Sequence, residues 1–197
     1  MAYLLPTEYE AYGLSAETAD AWAEAASAMV DAYCRRKTLD VQTYTERMRM
    51  HPEKQVVWLS YLPVLELTEV RARFARACGG YAWGDEVTRV FGLSGQWTEV
   101  DVTTVEIRPE TGELRLPQSV LGQVFGEVEV IYTSGYPEIP SAIKTAVAQI
   151  VRNAEAMPAL QVKSQKLDAM QVEYFSASLL DEMTKSLLRP YVAERLG

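Results

Sequence analysis

The spacing of apolar residues changes once, sharply, within GEVEVIYTSGYPEIPSAIKTAVAQIV, and this change constrains the fold more than any other feature of the chain. Before the change, Val128 and Val130 alternate with Glu127 and Glu129, the period of a strand with one wet face. After it, Ala142, Ile143, Ala146, Val147, Ile150, Val151 and Ala154 follow the three-and-four spacing of a helix with one buried stripe. Between them lie Gly135, Tyr136, Pro137 and Pro140, which are turn and helix-start residues and not catalysts. The junction therefore joins a β region to a helical one and carries no chemistry of its own.

The same division runs through the whole chain. Thr7 to Gly13 reads as a short helix, with Thr7 and Glu10 at capping-box spacing and Gly13 as a left-handed end. Ser15 is the expected cap of a second helix, whose apolar face is Ala19, Trp22, Ala23, Ala26, Met29, Val30 and Tyr33. Its alanines imply close packing on another helix, and Arg35, Arg36 and Lys37 place cations at its negative end. From Thr43 to Thr133 the chain turns to Val, Thr, Tyr and Trp with Gly and Pro punctuation. QVVWLSYL, VLELTEVRARF, VTRVF, WTEVDVTTVEI, GELRLP and GEVEVIYTS read as strands. WTEVDVTTVEI alternates through Val100, Val102 and Val105 with one slip that suits a bulge. Pro109 to Gly112 is turn chemistry for a hairpin.

Helices return at Pro140. ALQVKSQKLDAMQVEYFSAS then alternates at Met170, Val172 and Tyr174 and predicts an extended arm or hairpin. Ser178 is the expected cap of a last helix, with Leu179, Leu180, Met183, Leu187 and Leu188 inward and Arg189-Pro190 ending it. The fold class expected is α+β: a small bundle of N-terminal and C-terminal helices (residues 1–40 and 137–197) with a large antiparallel β insertion (residues 41–136) and an extended C-terminal arm.

The chemistry-bearing residues are few. The chain has 197 residues, 48% of them hydrophobic, enough for a real core. Its net charge of −8 gives no global basic footprint for nucleic acid. Cys34 and Cys78 stand in no CxxC or His/Cys cluster, which argues against zinc and favours two buried free thiols, with a single disulfide between them as the alternative. MAYLLPTEYEAYGL lacks a basic and an apolar leader region, and no run reaches the length of a membrane span, so a cytoplasmic origin is expected. His51 is the one histidine, which excludes any two-histidine site; beside Pro52 it reads as a turn residue. No GxxxxGK[ST], GxGxxG or GxSxG occurs, and Gly79-Gly80 reads as a loop tip.

Glu66 and Glu69, or Asp101 and Glu106, read as solvated strand carboxylates. Arg71, Arg73 and Arg76, interleaved with Phe74, suit either phosphate contact or, preferably, edge-strand protection. Trp58, Trp83 and Trp97 suit core or interface packing, with a ligand pocket as the alternative. No cofactor or metal is expected.

The C-terminal third resembles the head–tail connector proteins of tailed bacteriophages and related prophage-like particles. The matching residues are Tyr132, Gly135, Tyr136, Pro140, Ile143 and Ala146. Ser164, Asp168, Val172 and Tyr174 follow in the arm, and Leu188, Pro190 and Tyr191 in LLRPYV. The N-terminal YLLPTEYEAYGL and the helix closing on CRRKT fit as well. The likeness covers residues 3–38 and 126–195. The chain departs from it in the β block of about ninety residues, where many members have a short hairpin region, and at Leu167, where members have Gly.

The resemblance implies a virion structural protein without enzymatic activity. It would form a homo-oligomeric, typically dodecameric ring that contacts portal protein and the next tail component and lets DNA pass without specific binding. Its place would be the virion neck, reached from the host bacterial cytoplasm. It further implies a portal or subunit interface at Ser164, Asp168, Val172, Tyr174, Leu188, Arg189, Tyr191 and Arg195, with the arm touching a neighbouring subunit, and a hinge at Gly135, Tyr136, Pro137 and Pro140. The alternatives are another neck or tail-completion protein, or a ligand-binding or enzymatic module with an aromatic-lined pocket in the β block.

Overall fold

The computed structural model describes residues 2–51, 54–74, 97–117, 124–156, 164–167, 170–173 and 179–193. The expected strand VTRVF, Gly79-Gly80, Cys78, Arg76, Trp83, Asp168, Tyr174, Ser178 and Arg195 lie outside these residues. The fold is α+β, with helices towards both ends of the chain and antiparallel sheets between them. The chain divides into two compact units, Met1–Leu39 with Glu138–Val192, and Asp40–Pro137 with Ala193–Gly197.

The first unit is built on three helices, α1 (Asp20–Cys34), α2 (Ser141–Ala156) and α3 (Glu182–Leu188). Helix α1 buries Ala23, Ala26, Ser27, Val30 and Cys34. Helix α2 buries Ile143, Ala146, Val147, Ala148, Ile150 and Val151; the expected stripe gains Ala148, while its end members Ala142 and Ala154 are only half-buried. The Pro140 carbonyl accepts from Ile143 and Lys144, so Pro140 stands just before the helix and Ser141 opens it.

Three expectations about helix ends are corrected. Thr7 to Gly13 forms two 3-10 turns, Pro6–Glu8 and Glu10–Tyr12, and it is Glu8 that reaches back to the Leu5 amide. Ser15 makes a turn with Glu17 and Thr18, and α1 starts later, after Ala19. Asp181 caps α3 by accepting from the Thr184 amide at 2.7 Å. Three expected inward residues are also outside: Ala19 is exposed, Trp22 is 48% exposed and Met183 65%. The positive-φ residues Gly13 and Arg35 end the second 3-10 turn and α1.

The N-terminal segment belongs to this core. Tyr3, Leu4, Tyr9 and Leu14 are buried. The Tyr3 hydroxyl donates to Asp31 and accepts from the Leu39 amide at 2.7 Å, and the Tyr9 hydroxyl donates to Asp20 at 2.9 Å. Lys144 pairs with Glu8 at 2.6 Å, and Thr18 bonds Glu155 at 3.1 Å.

The second unit holds two sheets. One has the order β1 (Gln42–Arg49), β7 (Phe125–Ser134), β3 (Val64–Phe74), β4 (Thr98–Val100). The other has the order β2 (Val56–Trp58), β6 (Glu113–Arg115), β5 (Glu106–Arg108), all pairs antiparallel. Val128, Val130 and Tyr132 of β7 join Val70 and Ala72 of β3, Val57 of β2 and Leu114 of β6 in one apolar core. Fully burying a side chain of this size contributes roughly 1.5–3 kcal/mol. The hairpin expected at Pro109 to Gly112 joins β5 to β6, with Gly112 at φ +65.

The expected bulge in WTEVDVTTVEI is a 3-10 turn, Val102–Thr104, held by the Asp101 carboxylate at 2.9 Å from the Thr103 amide. Strand β1 has no counterpart among the strands read from the sequence. Its inward row runs Tyr44, Glu46, Met48, and the central carboxylate disguises the alternation. A third, two-stranded sheet pairs β8 (Ser164–Leu167) with β9 (Met170–Glu173), which makes a hairpin of the expected arm.

Candidate interface surfaces

The outer face of the four-stranded sheet is a lattice of charge. Antiparallel register sets Arg47 and Arg71 beside Glu129, and Arg49 and Arg73 beside Glu127. Glu127 accepts from Arg47 at 2.7 Å and from Arg73 at 2.6 Å. These two guanidinium groups, Arg73 first, hold its carboxyl below the usual value. Arg71 pairs with Glu69 and lies 3.9 Å from Glu129. Trp97, just before β4, lies under both Arg47 and Arg73, with the guanidinium carbons 5.1 and 5.2 Å from the ring centre.

This corrects the sequence reading of Arg71 and Arg73. Strand β3 is interior, flanked by β7 and β4, so its arginines do not guard an edge. Both are engaged by carboxylates, which leaves the face poorly suited to phosphate.

On the inner side, a polar network crosses the sheet. The Tyr132 hydroxyl donates to Glu46 at 3.1 Å and accepts from the Tyr61 amide at 3.2 Å. The Ser60 amide donates to the other Glu46 oxygen at 3.1 Å. The Tyr61 ring stacks on Tyr44 at 3.9 Å. Burial raises the Glu46 carboxyl and the Tyr132 phenol alike. The network fastens the segment before β3 onto β1 and β7. Gln55 acts similarly, donating to the Phe125 carbonyl at 3.3 Å and accepting from its amide at 2.8 Å.

The resemblance-derived residues fall in three places. Gly135 has φ +134, and its amide donates to the Pro63 carbonyl at 3.3 Å. A Cβ there would stand 2.3 Å from the Asp40 carbonyl oxygen, so the chain entering the β unit touches the chain leaving it. Tyr136 and Pro140 are half-buried and Pro137 is exposed. Ser164 and Val172 lie in the hairpin, opposite Glu173 and Gln165. At the C-terminal end Leu188 is fully buried, Arg189 exposed and Tyr191 half-buried in the 3-10 turn Arg189–Tyr191.

His51 is exposed, as are Glu66 and Glu106. Cys34 is free and buried, and burial pushes its thiol up to about 11. Trp58 is on the three-stranded sheet, and Trp97 is covered by two guanidinium groups on the other. Among the described residues no group of three or more His, Cys, Asp or Glu is placed to hold a metal. Among the same residues no helix is long and apolar enough to cross a membrane.

No family model matches the chain, and no curated protein matches it. Solved structures do. A chain in the neck of an empty gene transfer agent (GTA) particle, computed with C6 symmetry, superposes with a TM-score of 0.51 at 15% identity, covering 98% of this chain and 91% of that one. A chain in the virion of a native GTA particle gives the same TM-score, identity and coverage. The two have the same fold as this chain.

Proposed function

We propose that this protein is a structural component of the neck of a tailed phage or phage-like particle: a head–tail connector whose copies close into a ring between portal and tail. The observation that carries this reading is the fold shared, over 98% of the chain, with a chain of a GTA particle neck. The residue-level resemblance at the β-to-helix junction and in LLRPYV points the same way. The C6 symmetry of that neck agrees with a ring of sixfold or twelvefold repeat, and the sequence resemblance favours twelve.

The proposed portal contact is the C-terminal end. Leu188, Arg189, Tyr191 and Arg195 are proposed to make it; of these Leu188 is buried, Arg189 exposed and Tyr191 half-buried. Ser164, Asp168, Val172 and Tyr174 of the arm are proposed to meet a neighbouring subunit. Gly135, Tyr136, Pro137 and Pro140 are proposed as the hinge at the β-to-helix junction. The exposure of His51, the buried thiol of Cys34 and the covering of Trp97 by Arg47 and Arg73 support a role without catalysis. DNA passes the ring unbound, in keeping with the net charge of −8.

Electron microscopy of the purified chain mixed with its candidate portal protein tests the proposal. Rings stacked coaxially on portal are expected. A chain that stays monomeric and unattached with portal in excess overturns it.

A further inference from the structure

We propose that β1 is an acceptor edge, and that the β8–β9 hairpin of a second copy of this chain is what it accepts. Subunits then join by extending one sheet across their interface. This rests on the ring reading above and adds to it which elements meet.

The argument starts from the sheet edges. A long, regular edge strand is a template for pairing, and proteins blunt such edges by shortness, bulges, proline or charge. Strand β4, the other edge of the same sheet, has three residues, and so do β2 and β5 at the edges of the second sheet. Strand β1 has eight, QTYTERMR, without Pro or Gly. It pairs with β7 in unbroken register from Gln42↔Ser134 to Arg49↔Glu127, whereas β3 slips three times against the same strand.

Two of the three charges of β1 are committed elsewhere, and the third, Arg49, stands at its end in register with Glu127. Arg47 is turned onto Glu127 and Trp97, and Glu46 onto Tyr132 and Ser60. Among the described residues, β7 is the one strand that β1 pairs with.

The occupant is argued from the hairpin. Strands β8 and β9 pair with each other, from Ser164↔Glu173 to Leu167↔Met170, and with no other strand among the described residues. Two strands alone are marginal in water and gain stability from a third. Four residues of strand span about 13 Å and the eight of β1 about 26 Å, so one hairpin fits the edge with room to spare. An edge on one copy and a hairpin on the next make a heterologous contact, which repeats around an axis and closes into a ring.

Hydrogen–deuterium exchange of the full-length protein, read on the peptide Gln42–Arg49, compares monomer with assembled ring. Exchange at the edge amides is expected to slow about tenfold on assembly, the scale of one added hydrogen bond, while Thr98–Val100 is unchanged. Replacing residues 164–173 by a Gly-Ser stretch of equal length is expected to abolish the slowing and weaken assembly. A synthetic peptide of residues 161–175 is expected to compete with assembly of the unaltered protein, which covers the case of a misfolded variant.

Rings whose β1 exchanges as in the monomer overturn this inference and leave the connector reading standing. Slowing that survives the replacement overturns it also, because another strand, such as one from portal, then occupies the edge. Failure of the protein to assemble alone or with portal overturns the ring reading and this inference with it.

Discussion

Gly135 is the residue with the least freedom to change. Its φ of +134 disfavours any other side chain, and a Cβ would stand 2.3 Å from the Asp40 oxygen and 2.8 Å from Val41 Cα, both backbone atoms. Gly135→Ala is expected to destabilise by about 2–4 kcal/mol, combining strain and overlap, as a lower urea midpoint. Glu127 makes a smaller, pH-dependent contribution. Its folded carboxyl lies below the ordinary value of 4.5, so the stability it adds is present above that pH and is lost as pH falls through the folded value. Glu127→Gln should cost roughly 0.5–1 kcal/mol at neutral pH and flatten the acid side of a stability–pH curve. Glu46 has the opposite sign: its raised carboxyl penalises folding as pH rises through the folded value. Yet Glu46→Ala leaves the Tyr132 hydroxyl and the Ser60 amide without their acceptor, an expected loss of about 1–3 kcal/mol measured by thermal melting at neutral pH.

Among the elements, the N-terminal segment carries more than its irregular turns suggest. Leu4 is fully buried, and Leu4→Ala should destabilise by about 2–5 kcal/mol, read from chemical denaturation of the helical signal. Elements with clean periodicity were legible in the sequence. Strand β7 alternates strictly from Val128 to Ser134, and α2 carries one continuous stripe. What escaped has a local cause. Strand β1 hides its period behind the inward Glu46, whose burial is tolerable only because Tyr132 and Ser60, distant in sequence, satisfy it. Ser15 looked like a cap because its hydroxyl does bind a nearby amide, though within a turn. Helix α1 was given Trp22 as a core residue because alanine on both of its faces blurs the stripe. For the candidate interfaces, residue types at the junction and in LLRPYV were readable, but the edge position of β1 was not. Edges follow from strand order, and strand order is set by pairings many residues apart.

For the molecule as a whole, the contact between Asp40 and Gly135 means that the β unit begins and ends at one point. Replacing residues 40–137 by a short Gly-Ser link is therefore expected to leave the helical unit folded. Far-UV circular dichroism of the shortened chain checks this; loss of the helical signal would show that the helices depend on the β unit. Storage behaviour follows from β1. At neutral pH a net charge of −8 keeps molecules apart in solution. Near the isoelectric point of about 4.8 that repulsion vanishes while the eight-residue strand remains ready to recruit. Samples held there should turn turbid with ribbon-like precipitate, and salt-free neutral buffer should keep them clear.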